Sequence, residues 1–234
     1  MSRLVSRRKK KKKKNNRRII AVIAVIVLII IVALVVHGCQ EKKAQEAAAK
    51  AAEEQYDSAD ASDSIDVELL TPNKYSRPEI KLEKVKGIVV HYTANPGSTA
   101  MENRNYFEGL KDSHKTFASS HFVVGLDGEI IQCIPTKEVA YASNDRNSDT
   151  LSIECCYYAE NGRFTEKTYS SLVKLCAYLC HRFGLTSDDI IRHYDVTGKN
   201  CPKYFVEHPK AWKQFRADVK TALDNKDWNL DIIS

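Results

Sequence analysis

The chain contains 234 residues, of which 28% are charged, and its formal net charge is +6. Residues 1–18 hold 11 Lys and Arg residues and no acid, whereas the rest of the chain holds 25 basic and 30 acidic residues. The excess positive charge therefore belongs to the N-terminal tail alone. Such a tail could contact nucleic acid, but this one directly precedes an apolar segment, so nucleic acid is not an expected partner.

The apolar segment at residues 19–36 predicts a single transmembrane helix. It has 18 residues without a charged or polar side chain. As a helix it spans about 27 Å, close to the ~30 Å hydrocarbon core of a bilayer. The Lys and Arg residues on its N-terminal side place residues 1–18 in the cytoplasm and the rest of the chain outside. We therefore predict a single-pass protein of the cell membrane with an extracytoplasmic domain.

Two kinds of membrane attachment remain open. The apolar stretch exceeds the ~7–15 residues of a cleavable signal peptide, which favours an uncleaved signal anchor. The sequence Val36-His37-Gly38-Cys39 also resembles a lipobox, in which the chain is cleaved before Cys39 and a lipid is attached to its sulfur. His37 fits that pattern poorly because a small residue is usual there.

Residues 37–66 predict a charged and partly disordered stalk. Positions 41–55 are rich in Ala, Glu, Lys and Gln, a composition that allows a charged helix. The Ser, Asp and Ala run at 58–65 offers too little apolar surface to order the chain. We interpret this segment as a spacer between the membrane and the domain that follows.

Residues 67–223 predict one α/β domain with a central mixed β-sheet flanked by helices. About 155 residues are enough for a single hydrophobic core. Short apolar runs predict strands at 87–92, 121–126, 129–134, 151–157 and 190–193. Apolar residues at helical spacing predict helices at 101–111, 166–183 and 209–223. Asp127-Gly128 predicts a hairpin between the second and third strands, and the tail at 224–234 carries no interpretable motif.

Three polar residues late in the domain point to a metal site. His193, Lys199 and Cys201 lie within nine residues of one another, and zinc binds His nitrogen and Cys sulfur. A catalytic zinc typically has three protein ligands and an open position for water, so a third ligand must come from elsewhere. His91 is the best candidate, because it lies at the end of an apolar run that predicts a buried strand.

The cysteines allow other interpretations. A Cys-His pair is also found in thiol hydrolases, with Cys201 as the nucleophile, although a second His and the following Pro202 favour zinc. Cys176 and Cys180 lie one helical turn apart and are predicted to be small buried core residues. An exported domain permits disulfides, and the sequence leaves open the pairing of the five remaining thiols. These are Cys133, Cys155, Cys156, Cys176 and Cys180.

Four motifs, in this order, resemble a known family. They are His91-Tyr-Thr-Ala after an apolar strand, Ser120-His-Phe-Val-Val with Asp127-Gly128, Ser152-Ile-Glu154, and His193 with Lys199 and Cys201-Pro. Their order and spacing resemble the type 2 zinc-dependent N-acetylmuramoyl-L-alanine amidases. That family is related to bacteriophage amidase lysozymes and to animal peptidoglycan recognition proteins.

The resemblance implies a role for five residues. It assigns His91, His193 and Cys201 to Zn²⁺. It places Glu154 at the acidic position that many bacterial members use to activate the zinc-bound water, and Lys199 at the position of a catalytic lysine. These roles agree with the chemistry of amide hydrolysis, in which a carboxylate moves a proton and a cation stabilises the oxyanion.

Two neighbouring residues qualify this assignment. His121 could seem a rival metal ligand, but the corresponding position in the family is structural. Some relatives have a tyrosine where this chain has Ser120. A mechanism that depends on tyrosine is therefore not expected here, and Glu154 is expected to take a larger part in activating the water.

The resemblance also implies a substrate, namely the amide bond between N-acetylmuramic acid and the L-alanine that begins the peptidoglycan stem peptide. The alternative is a peptidoglycan-binding receptor that keeps the fold without hydrolysing. Binding-only relatives characteristically lose the Cys ligand, whereas this chain retains Cys201 with both His residues. We therefore expect an amidase, while the sequence leaves the oligomeric state and the stem-peptide preference undetermined.

Overall fold

The computed structural model describes residues 62–233 and five isolated upstream positions, 36–38, 40 and 43. The chain divides into two compact units, Met1–Asp57 and Ser58–Ser234, and every helix and strand with described bounds lies in the second. Most of the predicted transmembrane helix and stalk, and Cys39, lie outside the described residues. Among the residues that are described, none of the helices is long and apolar enough to cross a bilayer.

Seven strands form one sheet in the described part of the chain. In chain order they are β1 (Ser64–Val67), β2 (Gly87–Tyr92), β3 (Phe122–Val124), β4 (Ile130–Gln132), β5 (Thr150–Cys155), β6 (Ile190–Arg192) and β7 (Asp231–Ile233). The spatial order is β6-β2-β5-β3-β4-β1-β7. The pair β3 and β4 is antiparallel and the other neighbours are parallel. The predicted mixed sheet is therefore confirmed.

The turn between β3 and β4 is the hairpin predicted by Asp127-Gly128. The Gly125 N–H donates to the Glu129 carbonyl at 2.8 Å and closes the loop. Gly128 has φ +87°, and a Cβ at this position would lie 2.8 Å from the Ser171 hydroxyl. Both the backbone angle and the close approach of α-helical residue Ser171 require glycine here.

Within residues 62–233, five α-helices accompany the sheet: α1 (Ala100–Ser113), α2 (Glu166–Phe183), α3 (His193–Thr197), α4 (Lys203–Glu207) and α5 (Pro209–Asn225). The three long ones are those predicted from apolar periodicity. Thr99 and Glu102 form a capping box at the start of α1, and the Thr165 side chain caps α2. These caps satisfy backbone N–H groups that the first turn of a helix leaves unpaired.

The helices cover the sheet with apolar side chains. Ala100 and Phe107 of α1 belong to a buried cluster with Val123 of β3 and Ile131 of β4. Since successive strand residues point to opposite faces, Phe122 faces the other side of the sheet. Away from this cluster, α2 packs against α5. Aromatic contacts join α4 to α5 through Phe205, Trp212 and Phe215.

The sheet extends beyond the expected domain range of 67–223. Strand β1 begins at Ser64, within the segment predicted as stalk, and β7 lies in the C-terminal tail. These two strands pair in parallel, with Ser64 opposite Asp231. Each is short and polar in part, so neither has the apolar run that predicts a strand. Their pairing depends on a partner more than 160 residues away, which no local pattern reveals.

Three parallel strands bring polar residues to one edge of the sheet. The register of β2 and β5 pairs His91 with Glu154, and the register of β2 and β6 pairs Val90 with Arg192. Paired residues on neighbouring strands point to the same face of the sheet. His91 and Glu154 are therefore neighbours at the carboxyl ends of their strands, and His193 follows directly after Arg192.

Candidate metal centre and active site

His91, His193 and Cys201 come together at this edge of the sheet. His91 lies near the end of β2, His193 is the first residue of α3, and Cys201 lies between α3 and α4. All three residues are buried, and their potential ligand atoms lie within 4.8 Å of one another. His193 was predicted at the end of a strand but begins a helix, which turns the chain back toward His91. Their role as metal ligands stays a prediction.

Each imidazole is held through its Nε2 atom. His91 Nε2 lies 3.1 Å from the Ser143 hydroxyl, and His193 Nε2 lies 3.0 Å from Asn144 Oδ1. Since Oδ1 of an amide only accepts hydrogen bonds, His193 Nε2 carries the proton and Nδ1 keeps its lone pair.

The two Nδ1 atoms are left for a ligand. His193 Nδ1 is buried without a hydrogen-bond partner, and His91 Nδ1 lies 3.8 Å from Cys201 Sγ. A buried polar atom without a partner is costly unless something unseen completes it. Two imidazole nitrogens and one thiol sulfur, converging on a common point, are a donor set suited to catalytic zinc with one position open.

The pKa shifts of the two histidines agree with metal binding, and the pKa shift of the thiol opposes nucleophilic catalysis. Burial, with His193 and Lys199 nearby, holds the pKa of His91 well below its usual value, and burial with Lys199 also lowers the pKa of His193. Both imidazoles are thus neutral, the form that binds a metal. Burial raises the pKa of the Cys201 thiol to about 12, whereas a nucleophilic thiol needs a lowered pKa.

Glu154 is placed beside the three candidate ligands. Its Oε2 atom is buried and has no hydrogen-bond partner, although the residue as a whole is partly exposed. Burial raises the pKa of Glu154 to about 8, and the charge of Lys199 opposes part of this shift. A carboxyl group with a pKa near neutrality can both accept and release a proton, as a general base and acid must.

Lys199 supplies a positive charge to the same region. It follows α3, and its charge lowers the pKa values of His91, His193 and Glu154. Its ammonium group makes no hydrogen bond or ion pair with another described residue. The group is therefore available to a substrate.

His121 and Ser120 lie in the core instead. His121 Nδ1 accepts from the Ser152 N–H at 3.0 Å and Nε2 donates to the Glu138 carbonyl at 2.9 Å. Both ring nitrogens are satisfied, so His121 has no lone pair left for a metal, in agreement with a structural role. The Ser120 hydroxyl donates to the Ser152 carbonyl at 2.9 Å. It takes no visible part in the site.

Sequence reasoning missed Ser143 and Asn144. They lie where a loop enters a short 3-10 helix, Asn144–Ser148. Asn147 Oδ1 accepts from the backbone N–H groups of Ala142 and Ser143 and holds the loop in place. Asn144 has φ +51°, a left-handed conformation that Asn tolerates better than most residues. That tolerance is a weak signal, and nothing else in the sequence marks the pair.

Removing the Asn144 side chain is expected to weaken metal binding. Residues that orient a metal-bound histidine contribute roughly 10–100-fold to metal affinity. Asn144→Gly suits the left-handed backbone, so its effect reports the lost hydrogen bond rather than strain. We expect zinc affinity, measured by competition with a chelator, to fall about 10-fold or more in this variant. Asn144→Asp keeps the acceptor oxygen and should stay close to wild type, and equal affinity in all three proteins would contradict the role.

The other cysteines do not enter this group. The six cysteines in the described range are free and buried. Cys176 and Cys180 lie on α2 and are buried in the core of the domain, as predicted. Cys155 and Cys156 are neighbours on the chain and both are buried as well.

Comparison with known proteins gives consistent matches. A sequence model described as N-acetylmuramoyl-L-alanine amidase (Amidase_2) matches residues 81–204. The chain is 39% identical over 166 residues to a probable N-acetylmuramoyl-L-alanine amidase of Bacillus licheniformis, covering 66% of this chain and 46% of the relative. It is 38% identical over 175 residues to the amidase BlyA of Bacillus subtilis (strain 168), with the same two shares. The chain thus spans about half the length of the curated relatives it matches.

Solved structures agree with the fold. The structure of PlyL matches with a TM-score of 0.58 and 28% identity, over 67% of this chain and 97% of that one. The catalytic domain of XlyA matches with a TM-score of 0.57 and 25% identity, over 67% of this chain and 99% of that one.

Proposed function

From the premise that the chain belongs to the N-acetylmuramoyl-L-alanine amidase family Amidase_2, we propose that it hydrolyses peptidoglycan. The bond is the amide between N-acetylmuramic acid and the L-alanine of the stem peptide. The observation that carries the proposal is the convergence of His91, His193 and Cys201 within 4.8 Å. Beside them lies the unpartnered carboxyl oxygen of Glu154.

The two histidines and Cys201 would hold Zn²⁺ in this proposal. When bound, the ion supplies a Lewis acid that lowers the pKa of water and polarises the scissile carbonyl. Ser143 and Asn144 keep the two imidazole rings turned with Nδ1 toward the common point. Asn144 Oδ1 only accepts and so sets the tautomer of His193, while Ser143 holds the orientation of the His91 ring, so both rings are oriented before metal binds.

Glu154 moves the proton in this scheme. Its carboxylate accepts a proton from the attacking water and returns it to the nitrogen of the departing L-alanine, so the C–N bond breaks with a neutral amine as leaving group. Its raised pKa of about 8 suits the return of the proton. Ser120 is turned into the core, so the hydroxyl at this position does not share the task.

Lys199 acts on the carbonyl oxygen of the scissile amide. As water adds, negative charge develops on the carbonyl oxygen of the scissile amide. The free ammonium of Lys199, near both histidines and Glu154, is the described cation best placed to stabilise that charge.

The test uses the full chain with purified peptidoglycan. Mass spectrometry of the soluble products is expected to find free stem peptides that begin at L-alanine, together with glycan from which they have been removed. Tight binding to the wall without released peptides would overturn the proposal in favour of the receptor. The retained Cys201 favours the enzyme, because a receptor that does not hydrolyse its ligand does not require all three metal-binding residues.

We also propose that residues 19–36 anchor the chain in the cytoplasmic membrane. The support is their 18-residue apolar run with 11 basic residues before it. The full chain should remain with the membrane pellet after an alkaline wash, and a chain that starts at residue 37 should not. Intact mass then separates the two kinds of attachment, since a signal anchor keeps residues 1–36 and a lipoprotein begins at a lipid-bearing Cys39. Full-length chain in the soluble fraction would refute both.

A further inference from the structure

A partly exposed aromatic cluster lies beside the loop that holds the two histidines. Tyr75, Phe117 and Tyr141 form it, and they are called the aromatic platform below. The Phe117 ring centroid lies 5.1 Å from that of Tyr75 and 5.7 Å from that of Tyr141. Phe117 is 51% exposed although phenylalanine has no polar group to face water. An exposed cluster of this kind marks an interaction site more often than an isolated apolar residue does.

Three separate segments build the platform, and hydrogen bonds hold them together. The Ala118 N–H donates to the Tyr75 carbonyl at 3.2 Å, and the Ser119 N–H donates to the Tyr141 carbonyl at 3.0 Å. The Tyr141 N–H in turn donates to the Ser119 hydroxyl at 2.9 Å. The His114 ring stacks on Tyr75 with centroids 4.4 Å apart. The rings are therefore presented in a defined arrangement before any ligand arrives.

A cavity and a cation without an ion-pair partner among the described residues adjoin the rings. The cavity, of about 480 Å³, is lined by Tyr141 and by residues of the loop at 72–80. Lys74 Nζ lies 5.8 Å from the ring centroid of Tyr75 and 6.0 Å from that of Phe117. Arg77, on the same loop, is already paired with Glu138 at 2.8 Å. Lys74 makes no ion pair with any described residue, so its charge is available to a ligand.

Tyr141 of the platform lies close along the chain to the candidate active site. Tyr141 lies two residues before Ser143 and three before Asn144, the residues that hold the two histidines. Two residues span at most about 7 Å. Any polymer whose scissile bond lies at the histidines has to continue past neighbouring surfaces. The platform is one of these surfaces.

We propose that the aromatic platform binds the glycan strand next to the bond being cut. The C–H face of a pyranose ring packs against the face of an aromatic ring. Tyr75 is tilted by 32° to Phe117 and Tyr141 is edge-on to it at 88°, so the half-exposed Phe117 ring is the one placed to receive a sugar of the strand. Lys74 would face the lactyl carboxylate of N-acetylmuramic acid. That carboxylate becomes free when the neighbouring stem peptide is removed, so the surface would prefer glycan from which peptides have already been removed. This inference rests on the proposed amidase function.

Binding is measured on the full chain in detergent, with Glu154→Gln present throughout to block hydrolysis. The probes are peptide-free glycan oligosaccharides containing N-acetylmuramic acid, and chitin oligosaccharides of the same length, which lack the carboxylate. Phe117→Ala is expected to weaken the binding of both probes about tenfold, the effect of a lost contact of about 1.4 kcal/mol. Lys74→Ala is expected to weaken only the binding of the carboxylate-bearing probe. Added salt should also weaken the binding of the carboxylate-bearing probe alone, because it screens the charge of Lys74.

Tyr106→Ala is the matched control, since Tyr106 is 54% exposed but lies on α1 outside the platform. It should bind both probes like the parent protein, and all variants should keep the parent melting temperature. Unchanged glycan binding in Phe117→Ala would overturn the proposal. Displacement of the bound glycan by a free stem peptide would also overturn it, and so would a change in binding that only follows a change in self-association of the protein. The assay uses peptide-free glycan and an inactive variant, so its outcome is independent of hydrolysis. A wild-type protein that releases no peptides would refute the amidase alone.

Discussion

Cys201→Ala is expected to abolish metal binding and hydrolysis together. The Cys201 sulfur is buried 3.8 Å from His91 Nδ1, and its loss leaves two of the three candidate ligand atoms. The loss of zinc affinity should exceed the roughly 10–100-fold typical of a residue that only orients a ligand. Since the metal supplies several kcal/mol of charge stabilisation, release of stem peptides should fall by about 1,000-fold or more. Metal content after dialysis and mass spectrometry of digested peptidoglycan measure the two effects.

Cys180→Ala is the matched control for this substitution. Cys180 is also a fully buried free thiol, but it lies in α2 away from the ligand group. It should bind one zinc per chain and digest peptidoglycan like wild type, with a modest loss of thermal stability from the small cavity. If Cys201→Ala retained zinc, Cys201 would not be a ligand. If it retained peptide release without zinc, the reaction would not depend on the metal.

Glu154→Gln is expected to abolish hydrolysis while leaving the metal in place. Glutamine keeps the size and shape of the side chain but cannot move a proton. General acid–base catalysis contributes about 10²–10⁴-fold, so a rate loss in that range is expected. Because Glu154 lies outside the group formed by His91, His193 and Cys201, zinc content should stay at the wild-type level. The measurements are those used for Cys201→Ala.

Glu160→Gln tests whether any loss is specific to the site. Glu160 is exposed and lies six residues further along the chain. It should digest peptidoglycan at the wild-type rate. A Glu154→Gln protein with wild-type activity would show that another group takes the proton, and one without zinc would place Glu154 in the metal site itself. The contrast between Cys201→Ala and Glu154→Gln therefore separates metal binding from proton transfer.

The resemblance to the family and the identity of the candidate ligands could be predicted from short sequence motifs. His193, Lys199 and Cys201 are close along the chain, and His91 follows an apolar run that forms β2 over the predicted residues. The hairpin glycine and the three long helices likewise depend on neighbouring residues, through turn geometry, caps and apolar periodicity. The roles of Glu154 and Lys199 stay predictions. The structure adds that Glu154 is paired in register with His91.

Other features of the site could not be predicted from the sequence. Ser143 and Asn144 have ordinary loop composition, yet they hold both histidines from a segment about 50 residues away from each. The aromatic platform combines three distant segments, and nothing in the spacing of its residues indicates that their rings meet. A single sequence contains no record of such contacts.

The sequence by itself indicated the family, the candidate ligands and the alternation of strands and helices, because each was predicted from short motifs of neighbouring residues. Only the tertiary structure decided which imidazole nitrogens are left for a ligand, that β1 and β7 complete the sheet, and that the rings of the aromatic platform meet. The physical reason is the range of the interactions. Cys201 and His91 are 110 residues apart along the chain, and their meeting depends on the parallel packing of β2, β5 and β6.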